Sequence, residues 1–268
     1  MINDRIELTI ENHIAHVCLS RADKMNALDK KMLEAIPLVG EKLRSDSSIR
    51  VVIVSGDGGN FCAGLDKSNF SAMLNQKQSQ SVPKVLAERS NGIANSLQYV
   101  VWMWRELPIP VIAAVDGFAL GGGLQIALGA DFRYASKNSR YSILELKWGL
   151  IPDMSSTQIM RHIIRDDVIR ELTYTARLFS AQEAKEWGFV TEIVDDPLVH
   201  SMAIAKDIVQ KNPDAIRAAK RVIDNANYQT AAQGLLMESV EQDVILGSSN
   251  QIEAVMAQLE KRPAVFKD

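Results

Sequence analysis

Three consecutive glycines, Gly121 to Gly123, stand between two apolar segments. Ahead of them, Val111 to Val115 reads as a buried strand; behind them, Leu124-Gln-Ile-Ala-Leu128 reads as the start of an apolar helix. Glycine lets backbone come close to a ligand where a Cβ would intrude. A helix start offers unpaired N–H groups and the positive end of the helix dipole. Strand, glycine turn and helix together make a site for a negatively charged oxygen. The phosphate fingerprints do not fit. The dinucleotide pattern spaces its glycines in the first strand–helix turn, whereas these are contiguous and lie mid-chain. The phosphate loop needs a Lys-Ser/Thr pair after its last glycine, and Leu124-Gln125 follows here. A carbonyl oxygen becoming an oxyanion fits better. The alternative is tight helix–strand packing without a ligand.

Other elements must hold this turn in place. Ile6–Ile10 and Ile14–Leu19 alternate like paired strands, with Glu11-Asn12 as the turn. Asp29 caps a helix whose apolar positions, from Met32 to Leu43, follow a 3.6-residue period. Val51–Val54 is an apolar strand ending in a glycine-rich loop, after which comes Phe61-Cys-Ala-Gly-Leu-Asp66. The span 67–91 is polar and rich in Gln and Ser; it is expected to form one wall of a pocket. Ile93–Leu107 reads as a helix, and Phe132–Ala135 as a further strand. Alternating strands and helices predict an α/β fold with a mostly parallel sheet. Ser180-Ala-Gln-Glu183 is a capping box. Beyond Pro197 the pattern is almost all helical, with Pro213 restarting a helix and Gly247–Asn250 separating the last two. The expected division is a core over 1–196 and a helical C-terminal region over 197–268. That region is amphipathic and should pack on the core, on another subunit, or on both.

Composition narrows the function. The chain has 268 residues, 47% of them apolar, which is enough for a full core. A net charge of −3 and the lack of any long basic run argue against nucleic acid as a partner. The two cysteines, Cys18 and Cys62, sit in apolar contexts and suggest reduced thiols. No signal pattern opens the chain and no apolar run approaches the roughly 20 residues of a membrane span. A cytoplasmic protein without membrane association is expected. Of four histidines only His13 and His16 are close, and in a strand that spacing puts them on opposite faces, so no metal is expected.

Several ordered motifs carry a resemblance. They are Ser20-Arg-Ala-Asp-Lys-Met-Asn-Ala-Leu28, Phe61–Asp66, Pro110–Gly123, Ala130-Asp-Phe-Arg-Tyr-Ala135, Gly149-Leu-Ile-Pro152 and Phe179–Val190. In this order they resemble the crotonase family, the enoyl-CoA hydratase/isomerase superfamily, from the first strand to roughly Lys267. The resemblance implies a spiral of ββα units with a helical C-terminal region, assembled as a homotrimer or a dimer of trimers. It implies an acyl-CoA thioester as partner, with coenzyme A part of the substrate and no separate cofactor. It also implies an oxyanion hole of two backbone N–H groups, assigned by motif to Ala63 and Gly122. The backbone of Lys24 to Ala27 and of Ala63, Gly64, Leu65 and Asp66 is expected to border the adenine and pantetheine portions of coenzyme A, with Lys24 and Lys67 as phosphate partners. Phe266 and Lys267 are expected to reach a neighbouring subunit's nucleotide pocket. Trp102 and Trp104, with Met73, are candidates for the acyl pocket, although aromatics carried on a helix more often belong to the core.

The reaction rests on three side chains. Hydratases similar to this chain hold a water between two glutamates, one two residues after the glycines and one about twenty residues on. Glu145 matches the second; position 125 is Gln, which can orient a water but cannot exchange its proton at neutral pH. Asp153 stands eight residues beyond Glu145, where ordinary hydratases usually carry glycine. Dienoyl-CoA isomerases resembling this chain pair carboxylates at both positions to shuttle protons; their third, at 125, is Asp. Chlorobenzoyl-CoA dehalogenases use the aspartate as a nucleophile, with Trp at 145. The expectation is an enoyl-CoA hydratase/isomerase acting through a stabilised enolate, by hydration or by double-bond isomerisation. A dienoyl-type shuttle, a nucleophilic Asp153 and a non-catalytic acyl-CoA-binding protein are the alternatives. Asp153 could instead cap a helix beginning near Met154.

Overall fold

Two sheets organise the computed structural model, which describes residues 1–69 and 86–268. The larger holds β1 (Ile6–Glu11), β2 (Ile14–Leu19), β3 (Val51–Gly56), β4 (Val111–Val115), β6 (Phe132–Ser136) and β9 (Glu192–Val194), in the order β1-β2-β3-β4-β6-β9. Only β1 and β2 are antiparallel; the other neighbours run parallel. The smaller sheet orders β5 (Phe118–Leu120), β7 (Arg140–Ser142) and β8 (Phe179–Ser180) as β5-β7-β8. The chain alternates between the sheets. β4, β5 and helix α3 (Gly122–Gly129) form one strand–strand–helix unit; β6, β7 and α4 (Ser156–Ile163) form the next.

The central strands β3 and β4 are apolar and buried because both of their faces are covered. Val52 and Val54 point into one core with Met32, Ile36 and Val39 of α1 (Lys30–Ser45). Val51 and Ile53, on the alternate face, meet Ala205 and Val209 of α7 (Pro197–Val209). Local signals set the helix ends. The Asp29 carboxylate accepts from the Met32 N–H, and Ser180 with Glu183 closes the expected capping box. The helix expected from Ile93 begins later. Asn95 and Gln98 form a capping box that starts α2 at Ser96–Glu106.

After α7 come α8 (Pro213–Ala226), α9 (Ala231–Ile245) and α10 (Ser249–Glu260). Helix α9 buries none of its residues in the single chain, and Leu235, Leu236, Val240 and Val244 are exposed. Residues 70–85 of the expected pocket wall, Met73 included, lie outside the described residues.

Candidate active site

Helix α3 is buried at every residue and begins at the glycines. Gly121 is its N-cap with φ 49°, in the left-handed region that a side chain disfavours. Gly122 is therefore the first helical residue. Its N–H has no acceptor among the described residues, as expected of a helix start.

The second loop approaches from the turn at Gly64. Its φ is +83°, and an added Cβ would stand 2.5 Å from the Leu120 carbonyl and 3.5 Å from the Gly122 nitrogen. The turn is thus packed directly on the glycine triplet. Leu28 pairs with it: the Leu28 N–H donates to Gly64 O at 2.8 Å, and the Asp66 N–H donates to Leu28 O at 3.1 Å. In extended pairing, alternate residues turn their amides to opposite sides. Leu65 therefore turns its N–H away from Leu28, and that N–H has no acceptor among the described residues.

This corrects one expectation. The Ala63 N–H is already committed, donating to Met25 O at 2.9 Å. The free amide beside Gly122 belongs to Leu65, two residues on, where sequence reasoning saw only a coenzyme A contact. The signal was Gly64 itself, because a left-handed glycine reverses which way the following amide faces.

Asn26, expected only as backbone bordering coenzyme A, has a structural side-chain role. It is completely buried, and its Nδ2 donates to Asp57 O and Asn60 O at 2.9 and 2.7 Å. It ties the 21–28 loop to the loop after β3. A second tie is the Arg21–Asp66 ion pair at 2.5 Å. Hydrogen bonds from Ser68, with Arg21 beside it, hold the Asp66 carboxyl down to about 2.

These loops enclose a cleft of about 680 Å³. Lys24, Ala27, Ala63, Gly64, Leu65, Asp66, Lys67, Gly122 and Glu145 all line it. Lys24 and Lys67 are exposed at the rim. The other expected residues lie elsewhere. Trp104 is fully buried in the core, and Trp102 lines a separate cleft with Arg105 and Tyr228. Phe266 lines another with His13 and Arg50, and its carbonyl accepts from the Arg50 guanidinium at 3.2 Å. Lys267 exchanges two hydrogen bonds with the Asn250 amide. Neither tail residue lines the cleft of its own chain.

Glu145 opens a short 3-10 turn, Glu145–Trp148, after β7. Its Oε1 lies against Gly121 and accepts from Gln125 Nε2 at 2.7 Å. Its Oε2 is buried with no partner among the described residues. Burial raises the Glu145 pKa above the usual carboxylate range, and the negative charge of Asp153 adds to the rise. Asp153 is half-buried, and burial pushes its carboxyl up as well. It does not cap α4: the N-cap is Ser155, in the left-handed region at φ 75°, with no side-chain cap bond. Gln125 Oε1 does that work, accepting from Met154 N at 3.0 Å and Ser156 N at 3.3 Å. Asp153 is left available beside Glu145.

Comparison with known proteins gives the family. The model of the enoyl-CoA hydratase/isomerase family matches residues 9–268. The chain belongs to the enoyl-CoA hydratase/isomerase family. It is 30% identical over 256 residues to methylglutaconyl-CoA hydratase of Mus musculus, covering 93% of this chain and 78% of that one. It is 28% identical over 256 residues to the mitochondrial Delta(3,5)-Delta(2,4)-dienoyl-CoA isomerase of Mus musculus, covering 94% and 78%. The crystal structure of an enoyl-CoA hydratase from Bacillus anthracis superposes with a TM-score of 0.85 at 30% identity, covering 98% of this chain and 99% of that one. The α/β fold with its helical C-terminal region is that of the family.

Proposed function

We propose that this enzyme moves a double bond in an enoyl-CoA thioester. The thioester oxygen accepts from the N–H groups of Leu65 and Gly122. A base removes a proton from the acyl chain, the electrons pass to that oxygen as an enolate, and a proton returns at another carbon. Each preorganised donor contributes about 3 kcal/mol to lowering such a barrier. Glu145 Oε2 is the base and then the acid. Asp153 is the second carboxyl for a longer conjugated chain.

One observation carries this reading. The side chain at 125 is an amide whose oxygen and nitrogen are both engaged in hydrogen bonds, so it is not a second proton-exchanging group. Hydration is the second reading, favoured by the likeness to the hydratase of Mus musculus. The test offers β,γ-enoyl-, dienoyl- and crotonyl-CoA to the purified protein, following conjugated-thioester absorbance and deuterium uptake at the α-carbon. Isomerisation and exchange abolished by Glu145→Gln support the proposal. Robust hydration of crotonyl-CoA that needs Glu145 but not Asp153 sinks it.

The same reading includes assembly and location. The exposed apolar residues of α9 favour association with further copies, and the homotrimer or dimer of trimers is the form the family resemblance implies. Free thiols at Cys18 and Cys62 fit the reducing cytoplasm.

A further inference from the structure

Gln125 is a buried polar residue on an otherwise apolar helix, with 3% of its surface exposed. Its amide orientation is fixed by its neighbours. The Met154 and Ser156 N–H groups can only donate, so the oxygen faces them and the nitrogen faces Glu145. Three segments thus meet on one planar amide: α3, the Glu145 turn and the start of α4. The Glu145 carboxylate is consequently asymmetric, with Oε1 held at 2.7 Å and Oε2 unpartnered among the described residues.

We infer that Gln125 is a positioning residue that fixes the Glu145 carboxylate so that Oε2 alone exchanges protons with the acyl chain. The inference rests on the reading of Glu145 as the acid/base. A glutamate at 125 would still accept the two α4 amides. It would also set an oxygen against Glu145 Oε1, and two carboxyls at that separation must share a proton. Glutamine keeps the helix cap and the clamp while leaving the proton chemistry to one residue. The charged groups around Glu145 are Asp153 and, on its own turn, the exposed Lys147; Arg21, Asp23, Lys24, Asp66 and Lys67 line the same cleft.

The experiment measures α-proton exchange in deuterated buffer against pH, with kcat and KM separated, for wild type, Gln125→Leu, Gln125→Glu and Glu145→Gln. Gln125→Leu removes the donor to Glu145 but also uncaps α4, so its melting temperature falls. Gln125→Glu keeps the cap and tests the clamp in a folded protein. Both are expected to lower kcat by about tenfold to a hundredfold with little change in KM. Both should move the acid limb of the profile upward by about one pH unit, because an amide donor that favours the ionised carboxylate is lost. A Gln125→Glu protein with unchanged kcat and an unchanged acid limb overturns the inference. If Glu145→Gln retains exchange, the reading of the reaction falls instead, and the two failures are told apart.

Discussion

Arg21 Nη1 and Asp66 Oδ2 are 2.5 Å apart, joining the loop that carries Lys24 and Ala27 to the turn that carries Leu65. Both side chains are largely buried, at 17% and 12% exposure, so solvent screens the pair weakly. Asp66 titrates near 2, below its ordinary value. Its stabilisation is therefore fully present above the ordinary carboxylate range and is lost as pH falls toward 2. Asp66→Asn is expected to cost about 1–2 kcal/mol at neutral pH. Melting curves from neutral to strongly acidic pH check this, since the gap between variant and wild type should close at the acid end. KM for the thioester should rise as well, because the tie anchors the turn.

Gly64→Ala should abolish turnover without unfolding the chain. The new methyl would meet the Leu120 carbonyl at 2.5 Å, and φ +83° is strained for alanine. Relief requires the turn to move away from Gly122, separating the two free amides. The loss should fall on kcat by at least about a hundredfold, and circular dichroism should stay close to wild type.

Glu145→Gln should be inactive and more stable. Burial raises the Glu145 pKa in the folded state. A raised value means that the folded protein prefers the neutral form. At neutral pH the ionised carboxylate therefore costs stability, and the cost disappears below the ordinary carboxylate range. The variant should be more stable at neutral pH by on the order of 1 kcal/mol, read as a higher melting temperature, with no advantage at low pH. Equal stability at both pH values would refute the buried-charge argument.

Arg50 tests the place of the tail. It is buried, and it donates to Asp268 Oδ1 at 2.7 Å and to the carbonyls of Val209 and Phe266 at 3.2 Å each. Arg50→Ala should cost about 2 kcal/mol through these lost charge-assisted bonds. If the tail serves only its own chain, KM stays unchanged. A several-fold rise in KM would support the expectation that Phe266 and Lys267 reach a neighbour's nucleotide pocket.

The fold was largely legible because its signals are local. Asp29, the Ser180–Glu183 box and the run Val111–Val115 each point to one structure, and each takes it. The ordered motifs likewise led to a cleft lined by Lys24, Gly64, Gly122 and Glu145. The misreadings concern direction. Whether Ala63 or Leu65 offers a free N–H depends on the sign of one φ angle and on what Met25 accepts. Neither is written in residue type. Gln125 read as a possible contact to substrate or water, because its partners at Glu145, Met154 and Ser156 are 20, 29 and 31 residues away along the chain. Trp102 and Trp104 stand on one helix, and only tertiary packing sends one into the core and the other to a different cleft.

Helix α3 has no surface residue, yet it supplies both the unpaired Gly122 N–H and the amide that grips Glu145. The spacing between the Gly122 amide and the Glu145 carboxyl is therefore set by the same apolar packing that holds the domain together. The helix amides from Gln125 onward, where the first helical bond runs to Gly121 O, should exchange with solvent only through global opening, and thermal inactivation should coincide with melting of the whole domain. New reactions on this frame are easiest to reach by changing one side chain, as at position 125, since displacing the backbone that carries it would mean dismantling the core.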